Sequence, residues 1–171
     1  MENQSDERLA IFVDFDDTLC LHNKKIQTEK YLFKSPDYIC VVAYKESIPN
    51  TALHLWLKDR QREGALVFMM TNASRGMWEA KKMWLDRTFP DVIFSDYIFV
   101  NEDADKESHI RAYTKMYPEE RVYFIDDDGA ERAKVEQTCG NVITYSPQWL
   151  MAQLTNDIIR KKLEENKEAE K

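Results

Sequence analysis

The sequence is short of glycine and proline, and it has no long apolar run. It contains 4 Gly and 5 Pro among 171 residues, which argues against a linker-rich or fibrous protein. No stretch approaches the roughly 18 consecutive apolar residues that a membrane-spanning helix needs. The first ten residues lack the basic and then apolar pattern of a secretory signal. We therefore expect a soluble, cytoplasmic protein.

The cysteines and the charge exclude further classes of protein. Cys20, Cys40 and Cys139 are widely spaced, odd in number and form no CxxC pair, so neither a disulfide framework nor a zinc site is expected. The formal net charge of −7 disfavours sequence-independent binding to nucleic acid. Because no glycine-rich phosphate loop is present, ATP-driven and nicotinamide-dependent functions have no visible basis.

The chain contains enough apolar residues for one α/β domain. Apolar residues make up 43% of the chain and aromatic residues 12%, which supplies a core for a single domain. Short apolar runs predict strands at 10–13, 65–70, 92–100, 121–125 and 141–145. Amphipathic stretches predict helices at 50–63, 75–88, 106–117 and 130–138, and Ser146-Pro147 predicts the start of a last helix. This alternation predicts a doubly wound, mostly parallel sheet with helices on both faces.

The domain boundaries follow from two polar segments. We expect a single domain over residues 1–160. Residues 19–49 are too polar for a second core, so they predict a small flap after the first strand. Beyond Arg160 the chain has no apolar face, and residues 161–171 are expected to form a charged tail that is frayed or solvated.

Polar residues follow the predicted strands where each strand ends. The first strand leads into DFDDTL from Asp14, the second into Thr71, and the fourth into Asp126–Asp128. Ligands of open α/β sheets bind beyond the carboxyl ends of the strands, so these groups are expected to converge if the first and fourth strands are neighbours. Carboxylates so close together repel one another unless a cation lies between them. An all-oxygen cluster of this kind favours Mg²⁺.

The spacing within DFDDTL indicates a reaction. Asp14 and Asp16 are two residues apart, which places them on the same side of an extended chain. One carboxylate can then attack as nucleophile while the other transfers a proton. A phosphoryl group in transfer also needs cations and hydroxyl donors, which Thr71 and Lys106 can supply.

Together these motifs resemble the haloacid dehalogenase-like superfamily of phosphohydrolases over about residues 10–145. Residues 14–18 match its first motif, DxDx[T/V], and Thr71 after VFMM matches the second. Lys106 matches the third, a lysine ahead of the last acidic strand. VYFI followed by Asp126 and Asp127 matches the fourth.

The resemblance implies a Rossmann-like fold and a set of catalytic roles. Asp14 would attack phosphorus and become an aspartyl phosphate. Asp16 would protonate the leaving oxygen and then activate water, which points to phosphoester chemistry. Thr71 and Lys106 would bind the phosphoryl oxygens.

The resemblance also implies an Mg²⁺ cofactor and a small cap. The metal ligands would be Asp14, the main-chain carbonyl of Asp16, and Asp126, with Asp127 acting through water. Residues 19–49 leave room only for a flap, so the site is expected to be open.

The substrate is expected to carry a phosphate monoester, on a small molecule, a nucleic-acid end or a phosphoprotein. Candidate substrate-binding residues are Asn72 and Arg75, which follow Thr71, and Lys24 and Lys25 in the basic flap. Basic residues interleaved with aromatic ones slightly favour a nucleotide or nucleic-acid phosphate, although such a loop can also be merely solvated.

Two other interpretations stay open. The chain could be a catalytically silent module that binds phosphate or metal, or a receiver-like module in signalling. Receivers place paired acids first and the lysine last, whereas Thr71 and Lys106 here both precede the second acidic cluster. Asp17 and Asp128 can act as capping residues only, and His22 in the flap can approach the substrate.

Overall fold

The computed structural model describes residues 8–22, 44, 47–101 and 104–169. The strands are β1 (Leu9–Val13), β2 (Cys20–Leu21), β3 (Ile48–Pro49), β4 (Leu66–Asn72), β5 (Phe94–Val100), β6 (Arg121–Ile125) and β7 (Val142–Tyr145). The helices are α1 (Thr51–Arg62), α2 (Trp78–Thr88), α3 (Lys106–Met116), α4 (Gly129–Thr138) and α5 (Pro147–Ala169), and a 3₁₀ turn at Arg75–Met77 precedes α2. Strands and helices thus alternate as the sequence predicts.

Five of the strands form one parallel sheet in the order β5-β4-β1-β6-β7. The first strand of the chain is central: Phe12 pairs with Phe68 on one side and with Phe124 on the other. Continuous apolar runs suit such strands because helices cover both faces of the sheet. The predicted doubly wound α/β fold is confirmed.

Two cores lie on the opposite faces of this sheet. Successive side chains of β1 point to opposite faces, so Ile11 and Val13 belong to the core against α1, α2 and α5. Phe12 belongs to the other core, where Ile110 of α3 and Val135 of α4 pack. Helices from both faces can therefore present side chains to the end of β1.

Local side-chain contacts fix the helix ends. The side chain of Asn50 accepts a hydrogen bond from the Leu53 amide at 3.2 Å, and its amide group donates to the Thr18 carbonyl at 3.1 Å. This pair of bonds caps α1 and ties it to the loop that follows β1. After α1, Gly64 adopts a φ of 95°, a conformation that glycine takes without steric cost. The Ser146 hydroxyl accepts from the Trp149 amide and so caps α5, as expected.

The ends of the predicted flap pair with each other. β2 and β3 form a two-stranded antiparallel ladder, with Cys20 opposite Pro49 and Leu21 opposite Ile48. Most of the predicted flap, residues 23–43 and 45–46, lies outside the described residues. Lys24, Lys25 and Cys40 lie there too.

The C-terminal segment differs from the expectation of a frayed end. Helix α5 continues past Arg160 to Ala169. The side chains described after Arg160 are exposed, as expected for a solvated segment. Lysine, glutamate and alanine have high helix propensity, so the helix persists without an apolar face to bury. Within the described residues, no helix is both long and apolar enough to span a membrane.

Candidate active site

The acidic ends of β1 and β6 lie side by side. Val13 pairs with Ile125, the last residue of β6, and the Asp14 amide donates to the Ile125 carbonyl at 2.8 Å. The two strands therefore end side by side. Each is followed directly by an aspartate, Asp14 after β1 and Asp126 after β6. The structure thus brings the two acidic clusters to one edge of the sheet.

Lys106 bridges the two carboxylates at this edge. Its ammonium lies 2.6 Å from Asp14 Oδ1 and 2.7 Å from Asp126 Oδ2. All three side chains are buried, with Lys106 only 3% exposed. Lys106 begins α3, so the helix start fixes where its side chain enters the site.

Burial and repulsion govern the protonation of this group. Burial raises the pKa of Asp14 to about 7, against the lowering effect of Lys106 and with a smaller contribution from the charge of Asp126. Burial raises the pKa of Asp126 as well, although Lys106 opposes the change. Burial alone would lower the pKa of Lys106, but the two carboxylates outweigh it and hold that pKa above its usual range. The ammonium therefore stays charged, whereas ionisation of Asp14 and Asp126 together is unfavourable without a further cation.

Three carboxylates at this edge can hold a metal ion. One oxygen each from Asp14, Asp126 and Asp127 lies within 4.8 Å of the other two. Asp127 is exposed, so the cluster is open to solvent. The Asp127 amide donates to the hydroxyl of the buried Thr18 at 3.1 Å, and this bond fixes the loop after β6. The donor set consists of oxygen alone and carries excess negative charge, so these residues fit Mg²⁺.

The Asp16 carboxylate has different partners. Lys81 Nζ donates to Asp16 Oδ2 at 2.5 Å, and His22 Nε2 lies 2.8 Å from Asp16 Oδ1. Burial would raise the pKa of Asp16, but the His22 hydrogen bond and the Lys81 charge outweigh it and lower that pKa. Asp17, the next residue, has a φ of 50° and turns the chain sharply at this point. Asp16 is therefore a carboxylate in the resting protein.

Lys81 is the site residue that sequence reasoning missed. It is fully buried in α2, and its ammonium also donates to the Thr71 hydroxyl at 2.6 Å. The same ammonium lies 5.0 Å from the centroid of the Phe15 ring. The sequence does contain a pattern that could have revealed it. Lys81 lies four residues after Met77 and three before Trp84, which places a charge on the apolar face of the helix, and a buried charge needs a partner.

The remaining predicted residues lie around this centre. Thr71, at 1% exposure, is buried, and its hydroxyl points at Lys81. Asn72 and Arg75 are exposed beside it, at the end of β4 and in the 3₁₀ turn. Asp128 caps α4 by accepting from the Ala130 amide at 2.8 Å, which agrees with its alternative interpretation as a capping residue.

Solved structures share this architecture over most of the chain. The HAD family enzyme BT-2542 of Bacteroides thetaiotaomicron, solved with magnesium and inorganic phosphate, matches with a TM-score of 0.51 at 12% identity, over 81% of this chain and 93% of that one. The HAD domain of the effector protein Lem4 of Legionella pneumophila matches with a TM-score of 0.52 at 14% identity, over 90% and 96% of the two chains. The chain has the haloacid dehalogenase-like fold. The described residues include no large cap domain, in agreement with the resemblance seen in the sequence.

A third structural match comes from a multi-protein assembly. A chain of the Pnkp1/Rnl/Hen1 RNA repair complex matches with a TM-score of 0.57 at 16% identity, over 85% of this chain but only 45% of that one. The present chain therefore spans less than half the length of that relative. No family model and no curated protein matches the sequence. At identities this low, the structural similarity establishes only the haloacid dehalogenase-like fold. The chemistry must therefore be argued from the site itself.

Proposed function

We propose that the protein is a Mg²⁺-dependent phosphatase that hydrolyses phosphomonoesters through an aspartyl phosphate on Asp14. The observation that carries this proposal is the meeting of Asp14, Asp126 and Asp127 around one point, with Lys106 beside them. The group lies at the carboxyl ends of β1 and β6, the edge where open α/β sheets bind their ligands.

The charge of the site supports a divalent cation. Asp14, Asp16, Asp126 and Asp127 face the two ammonium groups of Lys81 and Lys106, which leaves a formal charge of −2. One Mg²⁺ would neutralise this charge, and its ligands would be Asp14, Asp126 and Asp127. When bound, the ion polarises phosphoryl oxygens and offsets their negative charge.

The first chemical step uses both aspartates of the loop after β1. A carboxylate oxygen of Asp14 bonds to phosphorus as the ester P–O bond breaks, and the leaving oxygen takes a proton from Asp16. Because the resting Asp16 is ionised, it must first receive that proton. His22, whose Nε2 lies 2.8 Å from Asp16 Oδ1, is the neighbour that supplies it.

The second step returns the enzyme to its starting state. Asp16 accepts a proton from a water molecule, which attacks phosphorus and releases Asp14 and inorganic phosphate. Asp16 then passes this proton back to His22, so both side chains regain their resting protonation states. The lowered pKa of Asp16 suits this role as base. Lys106 and the Thr71 hydroxyl stabilise the phosphoryl oxygens in both steps, while Lys81 positions Asp16 and Thr71 relative to each other.

Among phosphate monoesters, nucleotides and nucleic-acid ends are the substrates we favour. Two observations support this choice: the lysines of the flap alternate with aromatic residues, and one structural relative comes from an RNA repair complex. A comparison of nucleotides, sugar phosphates, phosphopeptides and 3′-phosphorylated DNA as substrates tests it. Highest kcat/KM on a sugar phosphate or a phosphopeptide would contradict it.

The reaction itself is tested by phosphate release from p-nitrophenyl phosphate. We expect release with Mg²⁺, none with EDTA, and none from the Asp14→Asn variant in either condition. Asp96→Asn is the matched control, because it removes the same charge from an exposed position on β5 and should keep full activity. Full activity in Asp14→Asn would refute the mechanism. A phosphorylated Asp14 that persists for hours without turnover would favour the receiver-like alternative.

A further inference from the structure

The loop after β4 joins this strand to α2 at the catalytic edge of the sheet. It begins two residues after Thr71, spans residues 73–77 and carries Arg75, a predicted substrate-binding residue. The Ala73 amide donates to the carbonyl of Val100, the last residue of β5, at 3.1 Å. The loop therefore begins at a fixed place beside β5, and its further course decides where Arg75 lies.

A tryptophan side chain holds this loop in place of ordinary caps. Ser74 and Met77, which precede the 3₁₀ turn and α2, make no side-chain capping bond. Instead, the indole Nε1 of Trp78 donates to the Ala73 carbonyl at 3.0 Å. Within the described residues, this is the one side-chain hydrogen bond to the main chain of residues 73–77. The conformation of the loop therefore depends on a single indole N–H.

The Trp78 ring is itself held by the neighbouring strand. It stacks on Phe99 of β5, with the ring centroids 4.9 Å apart and the planes 14° from parallel. Phe99 pairs with Thr71 in the register of the sheet. Such a stack stabilises one orientation of the indole, so the N–H that reaches the loop is fixed relative to the strand that carries Thr71.

Helix α2 contacts the chain twice as it leaves β4. Lys81 lies three residues after Trp78, so the two side chains share one face of the helix. The Lys81 ammonium lies 3.5 Å from the Asn72 carbonyl, and the Trp78 indole binds the next carbonyl, that of Ala73. Lys81 thus acts on the catalytic side of the chain, whereas Trp78 acts one position further along, towards Arg75.

We propose that Trp78 is a positioning residue, which holds the loop 73–77 so that Arg75 lies where it binds the substrate. The proposal rests on the proposed function, because it concerns the same site. Without the indole bond, the loop adopts the binding conformation in only a fraction of the molecules, and the apparent affinity falls by that fraction. Trp78 therefore affects substrate binding, and the chemical step is left to the aspartates and lysines.

Steady-state kinetics on p-nitrophenyl phosphate with saturating Mg²⁺ test the proposal. Trp78→Phe keeps a ring to stack on Phe99 but removes the N–H donor. We expect KM to rise about 3- to 10-fold, the net effect of one hydrogen bond, and kcat to stay within about twofold of wild type. Trp149→Phe is the matched control. Trp149 also stacks, on Tyr145, in the first turn of a helix, but its indole N–H binds no described residue, so KM should not change.

A double-mutant cycle with Arg75→Gln separates positioning from a merely structural role. Arg75→Gln should raise KM by itself. Adding Trp78→Phe should then change KM by less than about twofold, because both residues act through one contact with the substrate. Three results would overturn the proposal: an unchanged KM in either single variant, a lower kcat in Trp78→Phe in place of a higher KM, or an undiminished effect of Trp78→Phe when Arg75 is already replaced.

Binding in the absence of turnover separates this proposal from the proposed function. Calorimetry on the Asp14→Asn variant with Mg²⁺ and p-nitrophenyl phosphate measures affinity alone. Adding Trp78→Phe to this variant should weaken binding about 3- to 10-fold. Equal binding by the two proteins, or no saturable binding up to about 10 mM, would overturn the role of Trp78. A wild-type protein that hydrolyses no phosphate monoester, with the expected difference in binding intact, would refute the proposed function alone.

Discussion

Replacement of Lys81 by methionine is the most specific perturbation that this site offers. The substitution removes the ammonium but keeps an unbranched side chain of similar length in the α2 core. It deletes the donor to Asp16 at 2.5 Å and the donor to Thr71 at 2.6 Å. Asp16 then keeps His22 as a partner.

The stability of the Lys81→Met variant should change little. Two hydrogen bonds from a charged donor are worth about 3–6 kcal/mol in sum. Against this loss, the variant no longer buries an ammonium, a desolvation cost of several kcal/mol. The two effects oppose each other, and we expect the free energy of unfolding to change by no more than about 2 kcal/mol. Thermal unfolding measures it.

The activity should fall much further than the stability. Without Lys81, Asp16 and Thr71 lose the cation that orients them, and we expect kcat to drop about 10²- to 10³-fold, as when one preorganised electrostatic contact is removed. The pKa of Asp16 should rise, because burial raises it and Lys81 is a main opposing influence. Activity that needs the ionised Asp16 is lost as the pH falls through its pKa, so the acid limb of the kcat profile should move to higher pH.

Steady-state kinetics on an aryl phosphate with saturating Mg²⁺ provide the assay. Lys82→Met is the matched control: the neighbouring residue on α2, 50% exposed in its side chain and paired with Asp86, should leave kcat unchanged. A folded Lys81→Met variant with wild-type kcat and an unshifted pH profile would refute the assignment of Lys81 as a positioning residue.

Three further predictions concern the same site. His22→Gln should slow the hydrolysis of alkyl phosphates more than that of p-nitrophenyl phosphate, whose leaving oxygen needs no proton; equal slowing of both would contradict proton supply by His22. In EDTA, thermal stability should fall as the pH rises from about 4 to 7, because the pKa of Asp14 is raised from 3.8 to about 7, so the folded protein binds more protons than the unfolded one in this window. Asp14→Asn should flatten that dependence, and a wild-type stability that rises with pH would show the shift to be wrong. Lys106→Met should lose activity and about 3–5 kcal/mol of stability without Mg²⁺, whereas Lys115→Met, exposed on the same helix, should lose neither.

The sequence predicted the sheet and its acidic edge because both depend on local patterns. Apolar runs gave the strands to within about two residues, a precision typical of element boundaries. Parallel strands place all their carboxyl ends on one edge, so residues that follow β1, β4 and β6 had to lie near one another once those strands were neighbours. No side-chain geometry was needed for that inference.

The partners of each acid could not be predicted in the same way. Lys81 lies 65 residues from Asp16 in the sequence, and Lys106 lies 92 residues from Asp14. Such pairs depend on which face each helix covers, a property of the tertiary packing. Helical spacing placed Lys81 on an apolar face, but a lysine there can also extend its ammonium to solvent. The structure shows that the Lys81 ammonium instead stays inside, next to the Phe15 ring.

The two faces of the sheet explain why two neighbouring aspartates acquire opposite character. Helix α2 covers one face and brings Lys81 to Asp16, whereas α3 covers the other and brings Lys106 to Asp14. Burial raises the pKa of Asp14, and the lysine that opposes this shift is shared with Asp126. Asp16 has a lysine and a histidine to itself, so its pKa is lowered. A nucleophilic carboxylate must be ionised and a general acid protonated, which is the opposite of this divergence. The charge of a bound Mg²⁺ would therefore be needed to ionise Asp14. In this fold the divergence arises because helices on opposite faces of the sheet contact positions 14 and 16 of the same loop.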